Sequence, residues 1–309
     1  MKFYVAVTDN EWFQYLSDLE PDEVNFWRPG GATTFRAVPA GSPFLFKLHS
    51  PLKFITGGGW FLKYDAFPMS LVWEAFEQKN GAADYAEFRN LILSHRNDTS
   101  PDPIIGCIIL TEPFFFKPDE WIPCPENWSP SIQVGKTYDT EEHIGAGIWD
   151  AVMSRLQPKE ELHKMLVQEK TEDIRPVGSA YLAHARLGQG AFRTLVTSAY
   201  QKRCAISGEK ALPALEAGHI KPYAESGPSQ VNNGILLRAD MHRLFDSGYL
   251  TVTPKYHVEV SRAIKDEFEN GQDYYKFHGK PLTILPRVDW ERPDREFLEW
   301  HNERRFINK

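Results

Sequence analysis

The stretch ALEAGHIKPYAESGPSQVNNGILLRADMHRLFDSGYLTV, residues 214–252, decides the fold of the C-terminal third of the chain. Local rules predict a short strand over ALEAGHI, a turn at ESGP, a second strand over GILLR and a helix over ADMHRLFD that Gly248 ends. The sequence therefore predicts a two-stranded hairpin followed by a helix. His219 lies on the first strand, Asn233 in the loop that returns to the second strand, and His242 on the helix.

These residue types suit the hydrolysis of a phosphodiester. A histidine is the natural base for activating water near neutral pH. A divalent cation stabilises the charge that develops on the phosphate and on the departing 3′ oxygen. An amide such as Asn233 can pin the loop and hold the imidazole of His219 in one tautomer.

The chain resembles the HNH, or ββα-metal, endonuclease family over about residues 186–280. The matching segments are RLGQGAFR, RCAISGE, EAGHIKPY, NNGILLRADMHRLFD and GYLTVTP. The resemblance implies that His219 is the general base, Asn233 the orienting residue and His242 a metal ligand.

One position departs from the family's pattern. Many members have an Asp or His ligand directly before the base histidine, where this chain has Gly218, which cannot coordinate. Glu216, two residues back on the same strand face, is expected to reach the ion. Asp246 lies one helical turn after His242 and matches the place of a further ligand. Oxygen and imidazole ligands suit Mg²⁺ or Mn²⁺ and tolerate Ni²⁺ or Zn²⁺.

Charge is divided unevenly along the 309 residues. Residues 1–174 hold 15 Lys and Arg against 26 Asp and Glu, a net charge of −11, whereas residues 175–309 hold 20 against 16, a net charge of +4. The basic part is the part with the hairpin, as phosphate contact requires. Lys221, Arg238 and Arg243 flank the hairpin and are expected to bind nucleic-acid phosphates.

The N-terminal half is rich in aromatic residues: 26 of the 41 Phe, Trp and Tyr lie in residues 1–150. The segments KFYVAV, SPFLFKLH, KFITGGGWFLKY and IIGCIILTEPFFF predict short strands, with helices near 70–76 and 85–94. These strands and Gly-rich turns resemble the PUA superfamily, which includes EVE- and SRA-like readers of modified bases. The resemblance implies a β-barrel with peripheral helices that flips a base into an aromatic pocket, for which Trp27, Trp60 and Trp73 are the candidates.

The expected architecture is α+β. A PUA-like reader occupies residues 1–145, a helical linker broken at Pro158 occupies 146–185, and the ββα-metal domain occupies 186–309. No apolar run approaches the roughly 20 residues of a membrane span. The charged N-terminus lacks the apolar core of a signal peptide, so a cytoplasmic protein without a membrane partner is expected.

Together these features predict a modification-dependent restriction endonuclease acting on double-stranded DNA. The expected target is a modified cytosine, such as 5-methyl- or 5-hydroxymethylcytosine. One alternative is an HNH nuclease that acts on unmodified DNA or RNA, and another is a non-catalytic nucleic-acid-binding protein. A homodimer is compatible with the sequence, because one HNH site cuts one strand and a double-strand break needs two.

Overall fold

A computed structural model describes residues 1–97, 99–167 and 178–308. The chain divides into two compact units, Met1–Leu182 and Ala183–Lys309. No helix among the described residues is both long enough and apolar enough to cross a bilayer.

The N-terminal unit is built on one mixed sheet. Its strands are β1 (Lys2–Thr8), β2 (Glu23–Arg28), β3 (Pro43–Leu48), β4 (Phe54–Pro68), β5 (Ile104–Phe115), β6 (Ile122–Pro123) and β7 (Gly135–Asp139). The strand order is β2-β5-β4-β3-β1-β7, and β6 pairs with the start of β4. β1 and β3 run parallel, while the other neighbours are antiparallel.

The predicted β-barrel is not confirmed, because this sheet is open. A sheet closes only when its two edge strands pair, and in the described residues β2 pairs with β5 and β7 pairs with β1. Helical structure lies beside β2 instead. A 3₁₀ turn, Glu77–Asn80, binds β2 through Asn80, whose side-chain oxygen accepts from Asn25 Nδ2 and whose carbonyl accepts from Trp27 Nε1, both at 2.9 Å.

Helices cover the sheet on both faces. They are α1 (Asn10–Leu19), α2 (Met69–Phe76), α3 (Tyr85–Ser94) and α4 (His143–Val167), followed by α5 (Ser179–His184) at the boundary of the units. α2 and α3 confirm the two predicted helices. α1 was not anticipated, although Asp9 signals it: its Oδ1 accepts from the backbone N–H groups of Glu11 and Trp12.

α4 corrects the linker prediction, because its helical backbone runs through Pro158 rather than breaking there. The helix continues to Val167, and the predicted end of the linker near Pro176 lies outside the described residues.

The period-two alternation of the strands explains the aromatic excess. In β3, Phe44 and Phe46 belong to one cluster of buried residues, which packs against α1. Leu45, between them, belongs to a second cluster, which packs against α4. Large rings fill both layers, so most aromatic residues of this half are core residues.

The C-terminal unit contains the predicted strand–loop–strand–helix. After α6 (Gln189–Ala199) come β8 (Leu215–His219), β9 (Gly234–Arg238) and α7 (Ala239–Asp246). β8 and β9 are antiparallel, with His219 opposite Gly234. The remaining elements are β10 (Leu250–Val252), β11 (Val258–Val260), α8 (Ala263–Phe268), α9 (Gln272–Tyr275) and α10 (Arg295–Arg304).

His301 anchors α10 to the hairpin. Its imidazole stacks on Phe245 of α7, with ring centroids 3.7 Å apart, and its Nε2 donates to the Phe245 carbonyl at 3.1 Å. Its Nδ1 then accepts from the Thr251 hydroxyl at 2.8 Å. This geometry needs a neutral imidazole, and burial lowers the pKa of His301 to about 4.

We therefore expect the C-terminal unit to lose stability as the pH falls from 6.5 towards 4. An unfolded histidine titrates near 6.5, so in this window the unfolded chain binds a proton that the folded unit does not. Each pH unit in the window costs about 1.4 kcal/mol of unfolding free energy. Hydrogen exchange in α7 and α10 of the full chain measures the effect, and His301→Gln supplies a neutral control. Identical pH dependence of the wild type and His301→Gln would contradict it.

Candidate functional site

His219 ends β8 with its ring held flat against α6. The imidazole stacks on Phe192, with centroids 3.8 Å apart and planes 2° apart, and its Nε2 lies 3.4 Å from Ser229 Oγ. Close approach of α6 requires Gly234 opposite His219, because a Cβ there would lie 2.3 Å from a Val196 methyl carbon. Burial, and secondarily the charge of His242, lowers the pKa of His219, so the ring is neutral at pH 7 and able to accept a proton.

Asn233 is fully buried and holds the loop between the hairpin strands closed. Its Oδ1 accepts from Lys221 N at 2.9 Å, and its Nδ2 donates to the carbonyls of Lys221 at 2.9 Å and Pro228 at 2.8 Å. All three of these bonds go to loop backbone. The predicted loop-pinning geometry is therefore present, whereas the described hydrogen bonds of Asn233 do not reach the imidazole of His219.

His242 lies on α7 with its two ring nitrogens facing different carboxylates. Nδ1 donates to Glu216 Oε2 at 2.7 Å, and Nε2 lies 3.5 Å from Asp246 Oδ2. A carboxylate bonded to one imidazole nitrogen fixes the tautomer and leaves the other nitrogen free to bind a metal. Glu216 thus bonds Nδ1 of His242, whereas Asp246 lies beside Nε2, and the role of Glu216 as a metal ligand stays a prediction.

Gly218 gains a physical explanation from His242. A Cβ at position 218 would lie 2.3 Å from His242 Nε2, closer than any real contact. The space that a ligand side chain before His219 would fill is thus occupied by the imidazole of His242. Glycine at position 218 therefore explains both why no ligand side chain precedes His219 and why α7 packs so closely on β8.

The donors that suit a divalent cation are few. Within the described residues no group of three His, Cys, Asp or Glu side chains converges on one point. His242 Nε2 and Asp246 Oδ2 do converge, and partial burial raises the pKa of Asp246, opposed by the charges of His242 and Arg305. One imidazole and one carboxylate fit an ion such as Mg²⁺ or Mn²⁺ that completes its shell with water and phosphate oxygens.

The histidines border a cleft of about 470 Å³ whose other wall comes from the end of α10. His219, His242 and Asp246 line it together with His301 and Arg305. These last two residues lie beyond the segment that resembles the HNH family, which ends near residue 280, so the motif did not point to them. The segment PDREFLEWHNERRF carried a readable signal, since Asp294 caps α10 by accepting from Glu296 N.

The three cations predicted to bind phosphates differ in their surroundings. Arg238 forms a bidentate ion pair with Asp240, at 2.6 Å for both bonds, which weighs against its predicted role. Arg243 is exposed on α7. Lys221 reaches the face of Trp300, with Nζ 5.9 Å from the ring centroid.

The three tryptophans predicted for a base pocket do not meet at one place. Trp27 and Trp73 are half-buried and both pack on Phe88, at centroid distances of 6.0 and 5.6 Å. Trp60 is buried and contacts Trp149 of α4 at 6.1 Å. Of the three, Trp27 and Trp73 therefore share a cluster, and Trp60 belongs to the core.

Comparison with known families identifies the class of the C-terminal site. Residues 204–253 match the family described as HNH endonuclease, and this segment contains His219, Asn233, His242 and Asp246. The chain thus carries an HNH endonuclease domain and is a nuclease. HNH nucleases generally use a divalent metal ion.

Three solved structures resemble the chain at low identity. The ASCH protein from Zymomonas mobilis is 10% identical, with 47% of this chain and 92% of that chain covered and a TM-score of 0.33. The modification-dependent TagI restriction endonuclease is 13% identical, covering 93% and 76%, with a TM-score of 0.28. The type IV phosphorothioation-dependent restriction endonuclease ScoMcrA is 14% identical, covering 78% and 48%, with a TM-score of 0.18. No curated protein matches the sequence.

We expect Gly218→Ala to displace the imidazole of His242 and to lower both Mn²⁺ affinity and cleavage rate by about 10–100-fold. Isothermal titration with Mn²⁺ and DNA cleavage measure the two effects. Gly147→Ala is the control, because a Cβ at position 147 meets no atom within 4 Å. Wild-type Mn²⁺ affinity and cleavage in Gly218→Ala would show that His242 need not lie over β8.

Paired carboxylate variants separate a ligand from an orienting group. Asp246→Asn should weaken Mn²⁺ binding strongly, because it removes the charge beside His242 Nε2. Glu216→Gln should weaken it less, because the amide oxygen still accepts from His242 Nδ1. Mn²⁺ titration, monitored by electron paramagnetic resonance, measures the Mn²⁺ affinity of both variants. A larger loss in Glu216→Gln than in Asp246→Asn would make Glu216 the ligand that the sequence predicted.

Proposed function

We propose that the protein is a modification-dependent DNA endonuclease, which reads a modified cytosine with its N-terminal unit and cuts the backbone with its HNH domain. The observation that carries the nuclease part is the stacked imidazole of His219 in one cleft with the His242–Asp246 pair. A base and a metal-binding pair on one rigid hairpin are what phosphodiester hydrolysis requires.

In this proposal His219 takes a proton from a water molecule whose oxygen attacks the phosphorus. The bond to the 3′ oxygen then breaks, and that oxygen takes a proton from solvent. Phe192 holds the imidazole of His219 in its plane. Glu216 holds the ring of His242 by its Nδ1, while Nε2 and Asp246 would bind the divalent ion. When bound, such an ion would supply positive charge to the phosphate and to the leaving oxygen.

Recognition of a modified base is assigned to the N-terminal unit because the HNH hairpin contacts mainly the phosphate backbone of DNA and not the base edges. Residues 1–174 are acidic, which suits a reader that contacts few phosphates and gains affinity from one flipped base. Trp27 and Trp73 are the better candidates for stacking on that base, since both are half-buried, whereas Trp60 is core. A homodimer would supply the second site that a double-strand break needs.

The test is cleavage of one plasmid in three forms: unmodified, 5-methylcytosine-containing and 5-hydroxymethylcytosine-containing, each with Mg²⁺ or Mn²⁺. We expect preferential cutting of a modified form and a loss of about 10²–10⁴-fold in His219→Ala. His257→Ala is the matched control, because His257 is an exposed histidine of the same unit. Equal cutting of all three forms would leave an HNH nuclease without modification dependence. No cutting of any form would favour a non-catalytic binding protein.

A further inference from the structure

Two cations from different parts of the C-terminal unit converge on one aromatic ring. Lys221 Nζ and the guanidinium carbon of Arg305 each lie 5.9 Å from the ring centroid of Trp300. Trp300 is on α10 and is half-buried. The face of an indole ring attracts a cation, so Trp300 holds both Lys221 and Arg305 near its ring.

The backbones that carry these cations are firmly held. Both the N–H and the carbonyl of Lys221 are bonded to the buried side chain of Asn233. Arg305 N donates to the carbonyl of His301 at 3.0 Å, and the Arg305 carbonyl packs so closely on Gly248 that a Cβ there would lie 2.1 Å away. The backbone positions of Lys221 and Arg305 are therefore fixed by these contacts.

Arg305 also faces the proposed reaction centre. It lines the cleft with His219, His242 and Asp246. Among the described residues, neither Lys221 nor Arg305 has a carboxylate partner within 4.0 Å. Both charges are therefore available to pair with an anion.

We propose that Lys221 and Arg305, positioned by Trp300, form a clamp for a phosphate of the DNA strand that crosses the cleft. This inference rests on the proposed nuclease function and extends it to α10, which lies outside the segment that matches the HNH family. The contact is made to backbone phosphate, so it carries no base preference. Unlike Lys221 and Arg305, Arg238 is paired with a carboxylate of the described residues, that of Asp240.

The experiment measures DNA binding by fluorescence anisotropy, using full-length protein with His219→Ala to prevent cleavage. Arg305→Gln and Lys221→Gln should each raise the Kd about tenfold and lower the slope of log K against log salt by about one. The change should be equal on modified and unmodified duplexes. Arg304→Gln is the matched control, because Arg304 is an exposed neighbour on the same helix.

Trp300 is tested as a positioning residue by a pair of variants. Trp300→Leu should weaken binding like Arg305→Gln, whereas Trp300→Phe should restore most of the affinity, because an aromatic face is kept. Melting curves of both variants verify that they fold. If Trp300→Leu is unfolded, the Arg305 and Lys221 comparison still decides the proposal.

The clamp is overturned if Arg305→Gln and Arg304→Gln have equal Kd values and equal salt slopes. That result, with wild-type protein still cutting DNA, leaves the nuclease function intact. If the wild-type protein neither binds nor cuts any duplex, both the clamp and the proposed function fail.

Discussion

The buried amide of Asn233 is the interaction on which the hairpin site depends. A fully buried amide must have its hydrogen bonds satisfied, and here the loop backbone at Lys221 and Pro228 satisfies them. The carbonyl of Asn233 also accepts from Ile220 N, directly after β8. One side chain thus joins the end of β8 to the start of β9. His219 and Lys221 flank that junction, so their side chains point in fixed directions. His219 points into the cleft and Lys221 towards Trp300.

Close packing then sets the chemistry of the neighbouring groups. Gly218 lets the imidazole of His242 lie directly over β8, and this position brings Glu216 to one ring nitrogen and Asp246 to the other. The proposed division of labour follows: one carboxylate orients the imidazole and the other shares the metal. The flat stack of His219 on Phe192 excludes water from one face of the ring, and the same burial keeps it neutral.

The two units divide charge and apolar surface in a way that suits separate tasks. The acidic N-terminal unit uses most of its aromatic rings to fill two layers around an open sheet, so an excess of aromatic residues is not by itself a sign of a binding pocket. The C-terminal unit is basic, and the two cations that contact Trp300 come from the hairpin loop and the end of α10. Phosphate contact and base recognition are therefore proposed on different units.

The sequence by itself determined the elements whose signals are local. The strands around His219 and Asn233 and the helix of His242 were readable because turn residues and periodicity act over a few positions. Tertiary structure alone decided the rest, since each outcome depends on what lies opposite. The alternation of side chains along a strand does not reveal whether the two edge strands of a sheet pair. A barrel was therefore expected, whereas in the described residues β2 and β7 are the unpaired edges of an open sheet. Likewise, the sequence shows only that Gly218 offers no ligand side chain, whereas the packing of α7 shows that His242 fills that space. Arg305 lines the cleft because His301 docks α10 onto α7.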